Sequence, residues 1–166
     1  VRGQYGLNLG ALHFTLPGLN KKLAFNRVVV KGALDNSALG ALGAQVDFEI
    51  DEGRIRSHWD FKGDKSIAGK LQVENFSISP FIPLLPANKE LQGKSGTIQS
   101  EVMLDLRDGE LSASGDFHLL DLDVWEPGQK HALLSWKSAD INRFAYKSAK
   151  TTESNLTIEE LLINHP

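Results

Sequence analysis

The sequence contains no cysteine, so neither a disulfide nor a thiolate metal site can be part of its fold. A cysteine-free chain suits an oxidising compartment without identifying one. Eighteen Lys and Arg against 21 Asp and Glu give a net charge of -3. That balance leaves no basic footprint for nucleic acid or for an anionic membrane surface. No apolar run approaches the roughly 20 residues that a membrane-spanning helix needs. The sequence also opens on Val1-Arg2-Gly3, with no initiator methionine or signal peptide, and stops at His165-Pro166 straight after an apolar strand pattern. We therefore expect a single β module, residues 1–166, cut from a longer protein whose targeting signal or anchor lies elsewhere.

Signatures of catalysis are missing too. The five histidines, His13, His58, His118, His131 and His165, have no partners at metal-ligand spacing. His118 alternates with Phe117 and Leu119, which places it on the polar face of its strand. Asp121 and Asp123 share a strand face but lack the further oxygen ligands and the glycine of a calcium loop. Gly93-Lys94-Ser95 has Asn88 where a phosphate-binding loop requires its first glycine, and no Gly-x-Ser-x-Gly elbow occurs. The carboxylate pairs Asp47 with Glu49 and Asp105 with Asp108 lie opposite apolar strand positions, as ordinary solubility demands. We expect no enzyme, no cofactor and no metal.

What is present is repetition. Gly69-Lys-Leu-Gln-Val-Glu-Asn-Phe-Ser-Ile78 and Gly115-Asp-Phe-His-Leu-Leu-Asp-Leu-Asp-Val124 share the leading glycine and the apolar third, fifth, eighth and tenth places. Both carry Asn or Asp at the seventh. Upstream, Val46–Ile55 aligns with Val102–Leu111 through an acidic-Gly turn, so the internal repeat covers residues 45–78 and 101–124. Apolar residues two apart lie on one strand face, whereas the three-residue steps Val73 to Phe76 and Leu119 to Leu122 would flip it. A bulge at the intervening pair restores the face and bends the strand. The same spacing recurs at Leu23–Val30, Leu134–Ile141 and Leu156–Ile163.

Taken in order, Tyr5 to Leu16 reads as a first strand ended by Pro17-Gly18, and Leu23 to Leu34 as a second. Asp35 to Gly43, rich in small residues, reads as a loop or one helical turn. Val46 to Ile50 alternates cleanly, Glu52-Gly53 turns, and Ile55 to Phe61 returns. Gly63 to Ser66 is the next turn. Ser79-Pro80 can start a short helix near residues 79–86 that Pro86 stops. Gly96 to Leu106, the Asp108-Gly109 turn, the second repeat, a Pro127-Gly128 turn, Leu133 to Ile141, a polar loop at Lys147 to Ser154 and Leu156 to Ile163 complete the chain. The fold class is all-β: a long antiparallel meander forming a curved, groove-like sheet or an open sandwich. A sandwich whose two sheets cover each other would serve as a spacer or protein-interaction module. A curved sheet could instead hold acyl chains in its concave face.

The repeated Gly-x-apolar-x-apolar-x-Asn/Asp-apolar-x-apolar segment resembles the AsmA-like cell-envelope proteins of Gram-negative bacteria. So do Ser79-Pro80-Phe81, Ser95-Gly96-Thr97-Ile98, Gly109–Gly115, Leu133–Ser138 and Leu156-Thr157-Ile158, the last two in the manner of a branch with a repeated domain of unknown function. The resemblance covers about Val46 to Pro166. It implies a periplasmic or envelope setting and a curved β-groove built by tandem modules. It further implies a role in phospholipid transport or outer-membrane biogenesis, with adjacent modules of the same chain as neighbours and no catalytic residues. On this reading the lipid-facing row is drawn from Phe48, Ile50, Leu71, Val73, Leu104, Leu106, Phe117 and Leu119.

Overall fold

Alternation of apolar and polar residues favours strands, and short turns between them force neighbours to run antiparallel. The computed structural model describes residues 2–16, 21–38, 41–62, 66–84, 92–125, 128, 130–148 and 154–164. It has nine strands: β1 (Arg2–Leu16), β2 (Lys21–Ala38), β3 (Ala41–Ile50), β4 (Gly53–Lys62), β5 (Ser66–Ser77), β6 (Gln92–Arg107), β7 (Glu110–Trp125), β8 (Leu134–Lys147) and β9 (Asn155–Asn164). They form one sheet in sequence order, an antiparallel meander whose two outer strands do not pair and which therefore stays open. A six-residue 3-10 helix, Ser79–Leu84, lies between β5 and β6.

A single sheet replaces the sandwich alternative. Residues 35–38 and 41–43 are also strand rather than loop, because the apolar partners Leu34 and Ala44 carry the β2–β3 ladder on to Ala38 and Ala41. Between β3 and β4 the turn residues are Asp51-Glu52, and Gly53 already belongs to β4. Asp108-Gly109 forms the expected two-residue loop, both residues with positive φ (53° and 82°), the geometry that matches strand twist. The turns expected at Pro17-Gly18, Gly63 to Ser66 and Pro127, the stop at Pro86 and the loop from Lys147 to Ser154 lie mostly outside the described residues; Ser66 opens β5 and Lys147 closes β8.

The bulges sit where the repeats require them. Register shifts between Val73 and Phe76 against β6, and Asn75 has φ of 49°. In β7, Asp121 takes the same φ of 49° within the step from Leu119 to Leu122. Asn and Asp tolerate the left-handed region better than most residues, which explains the seventh place of the repeat. The upstream halves of the repeat are not equivalent. Ile55 and Gly69 fall on successive strands, whereas Leu111 and Gly115 share β7.

Further bulges at Gly10 in β1 and at Asn26-Arg27 in β2 fall at the same level across the sheet as Asn75 and Asp121. Along that line the sheet bends, and the 3-10 helix packs into the bend against both β2 and β6. These strands would lie about 19 Å apart in a flat sheet, so curvature is what brings both onto one short helix. Phe81 of the helix lies between Phe25 of β2 (centroids 5.9 Å) and Phe76 of β5 (5.6 Å), its ring tilted against both. Phe25 and Val28, with Leu12, Val30 and Ile50 beside them, form a closed cluster; Val29, Leu122 and Val124 are buried outside it. Burying a side chain such as Phe25 contributes about 1.5–3 kcal/mol.

Candidate functional site

Residues directly opposite in an antiparallel ladder point to the same face, so the register assigns every strand position to one side or the other. One row runs Leu7–Val30–Phe48–Ile55–Val73 and continues Ser100–Phe117–Ile141–Leu161. It crosses all nine strands, and Ser100 is its one polar member; Ser100 donates its hydroxyl to the Asp116 carbonyl oxygen at 2.7 Å. The next row includes Tyr5, Val46, Leu71, Val102, Phe144 and Ile158. Beyond it come Trp59, Leu104 and Tyr146, and then Phe61, Ile67, Leu106 and Leu111. Eight strand spacings make each full row about 38 Å long.

All eight residues singled out from the sequence lie on this face. Phe48, Val73 and Phe117 occupy one row, Leu71 and Leu104 the next two, and Leu106 the one after. Leu119 and Ile50 stand at the bend, where Ile50 packs into the covered Phe25 cluster rather than on the open part. Sequence reading drew on four strands and missed the contributions of β1, β2, β4, β8 and β9. Their alternation carries the same signal; what it lacks is the register that joins it to the others.

Among the described residues, only the 3-10 helix lies over this face, and it covers the bend. The described residues put no second layer over the rest, although a domain ordinarily buries each apolar sheet face under another element. The consequence shows in exposure: Phe48 is 36% exposed, Leu7 54%, Ile158 44% and Leu161 58%. No apolar side chain among the described residues is fully buried. Two glycines shape the surface. The Trp59 ring lies over Gly69, where a Cβ would fall 2.3 Å from it, and at Gly115 a Cβ would fall 1.9 Å from the Glu101 carbonyl oxygen. The glycine shared by the repeats thus makes room for a ring in one copy and for a neighbouring backbone in the other.

The opposite face is charged. Glu49 accepts from Lys31 (2.8 Å), Arg54 (3.1 Å) and Arg27 (3.2 Å), and the Lys31 and Arg54 contacts hold its carboxyl below the usual range. Arg56 bonds Glu74, and Lys70 bonds Glu101 at 2.7 Å; both glutamates are lowered in the same way. His118, on this polar face as its alternation implies, contacts Asp140 at 2.8 Å and depresses its pKa. Ser138 donates to the other Asp140 oxygen at 2.8 Å. Its hydroxyl is therefore bonded to the carboxylate and not to the imidazole, the wrong order for a nucleophile and its base. A hollow of about 680 Å³ beside the bend is lined by Asn26, Asp51, Asn75, Ser77, Ser95 and Thr97.

Among the described residues, no group of three or more His, Asp or Glu is placed to hold a metal ion, and no helix is long and apolar enough to cross a membrane. No protein-family model, curated protein or solved structure matches the chain.

Proposed function

We propose that this chain is a non-enzymatic, AsmA-like module of the Gram-negative cell envelope whose open apolar face carries lipid acyl chains, in transport or in outer-membrane biogenesis. The observation that carries the reading is the wide apolar face over which the described residues place no second layer beyond the bend, backed by a charged face. Apolar surface left in water costs about 25 cal/mol per Å², so a face of this extent favours an apolar occupant. Each leaflet of a bilayer's roughly 30 Å hydrocarbon core is about 15 Å deep, so one row is long enough to receive an extended acyl chain. Lipid lying across the strands along that row would meet aliphatic and aromatic side chains, one hydroxyl at Ser100 and no charge. The sequence resemblance points the same way, toward a periplasmic setting with adjacent modules of the same chain as neighbours.

Native mass spectrometry of the chain purified from an envelope-containing host tests the proposal. Co-purifying phospholipid that disappears in Leu104→Asp and Phe117→Asp, with circular dichroism unchanged, is the expected result. A folded, lipid-free chain that takes up no phospholipid from vesicles would exclude direct carriage. The second reading, a protein-interaction module, draws on the two unpaired strand edges.

A further inference from the structure

The open apolar face is not uniform: its bend side has a wall. Among the described residues, the 3-10 helix is the one element standing over this face, and it packs on β2 and β6. Phe81 reaches from the helix to Phe25 and Phe76. Val30, the β2 member of the row through Phe48, packs on the same Phe25–Val28 pair as Phe81 does. On β5, Val73 of that row lies one bulge step from Phe76. The row through Phe48 thus runs along the foot of the helix, on the inside of the bend, and the two meet in a corner.

That row also differs from its neighbours in composition. It holds no glycine, whereas the next row has Gly32 and Gly115 and the one after it Gly3 and Gly69. It holds no charge, and its one hydroxyl, on Ser100, already donates to the Asp116 carbonyl oxygen. An apolar chain lying in a corner is shielded from water on two sides, so it is held more tightly there than on a flat sheet. An extended peptide in the same place would leave its N–H and C=O groups unpartnered, since the side chains of the row offer none. Hydrocarbon has no such groups to satisfy.

We propose that Phe81 is a positioning residue for lipid, holding the first acyl chain in the corner between the helix and the row through Phe48. That chain lies across the strands, and the second chain of a phospholipid lies beside it, toward Leu104. The inference rests on the lipid reading above and adds to it a seat and the residue that defines it. The turn row through Phe61 and Leu106 stands about 20 Å further along the strands, six residues at the usual rise. Among the described residues it has no wall beside it, so it fills last.

A single-chain probe finds the seat that fills first. The full chain is mixed with phosphatidylethanolamine–phosphatidylglycerol vesicles carrying a trace of lysophosphatidylcholine with a diazirine in its acyl chain. After irradiation, mass spectrometry locates the label residue by residue. Label should gather on Phe48, Val73 and Phe81. Val73→Asp should lower it about tenfold or more, because a carboxylate in the corner must give up its water. Ile67→Asp, on the same strand at the turn row, should leave it unchanged, with the circular dichroism spectrum retained in both. Phe81→Ala should spread the label toward Leu106. Label centred on Phe61, Ile67 or Leu106 in the unaltered chain, label spread evenly over the face, or a map indifferent to Phe81→Ala would overturn the corner seat and leave lipid carriage standing. No label anywhere on the apolar face would overturn both, with a protein partner then its occupant.

Discussion

One carboxylate oxygen of Asp51, in the turn between β3 and β4, accepts the backbone N–H groups of both Asn26 (2.7 Å) and Arg27 (3.0 Å). The Asp51 N–H returns a bond to the Arg27 carbonyl at 2.9 Å. A turn on one hairpin thereby satisfies the two donors that the β2 bulge leaves without a ladder partner, and the bend beside Phe25 is held from outside. Asp51→Ala should destabilise the fold by about 0.5–1.5 kcal/mol, the net worth of an ordinary hydrogen bond at a site open to water. Urea unfolding measures it, and an unchanged midpoint would show that water replaces the carboxylate at no cost.

The left-handed bulge residues give a paired comparison. Asn75→Gly and Asp121→Gly should leave stability within a few tenths of a kcal/mol. Asn75→Val and Asp121→Val should each cost about 1–2 kcal/mol, because a branched Cβ meets the following carbonyl in that conformation. Thermal unfolding of the four variants separates the outcomes, and equal stability of Gly and Val forms would remove the conformational explanation.

Gly115 tests close approach rather than φ. A methyl group there meets the β6 backbone, so Gly115→Ala should destabilise by about 1–3 kcal/mol through forced separation of β6 from β7. Gly3→Ala, with open space around it, should be silent. Hydrogen exchange at Val102 and Gly115 should accelerate in the first variant alone.

Acid should weaken the sheet through its charged face. The carboxyls of Glu49, Glu74, Glu101 and Asp140 are depressed by cross-strand partners: Lys31 and Arg54, Arg56, Lys70, and His118 respectively. A carboxyl whose pKa is lower in the folded chain binds fewer protons there than in the unfolded one. Its contribution is complete above the ordinary carboxylate range, near pH 4, and is lost as pH falls through the depressed folded value. The urea midpoint should therefore drop as pH falls below about 4, and Glu49→Gln should make that drop shallower. A midpoint equal at pH 3 and pH 7 would contradict the assignment.

Much of this architecture was legible in the alternation. Val46-x-Phe48-x-Ile50 could be nothing but a half-buried strand, and the Asn or Asp at the seventh place of each repeat marked a bulge before any register was known. The stretch Asp35 to Gly43 was not legible, since its small residues fit a loop as well as a strand until Leu34 and Ala44 were seen to face each other. Ile50 could not be told from Phe48 by spacing either. The packing of Phe81 against Phe25 is what places Ile50 at the covered end of the face and leaves Phe48 on the open part.

By itself, the sequence determined which residues share a face along each strand, because backbone pleating has a period of two and a bulge shifts it by one. It also determined that the strands joined by short connections, such as β3 to β4 and β6 to β7, run antiparallel. The tertiary structure decided that the nine strands remain in one open sheet, that their apolar positions align into rows crossing every strand, and that the 3-10 helix covers only the bend. Those outcomes depend on inter-strand register and on curvature, which arise from contacts between residues far apart in the chain and leave no mark on the periodicity of any one strand.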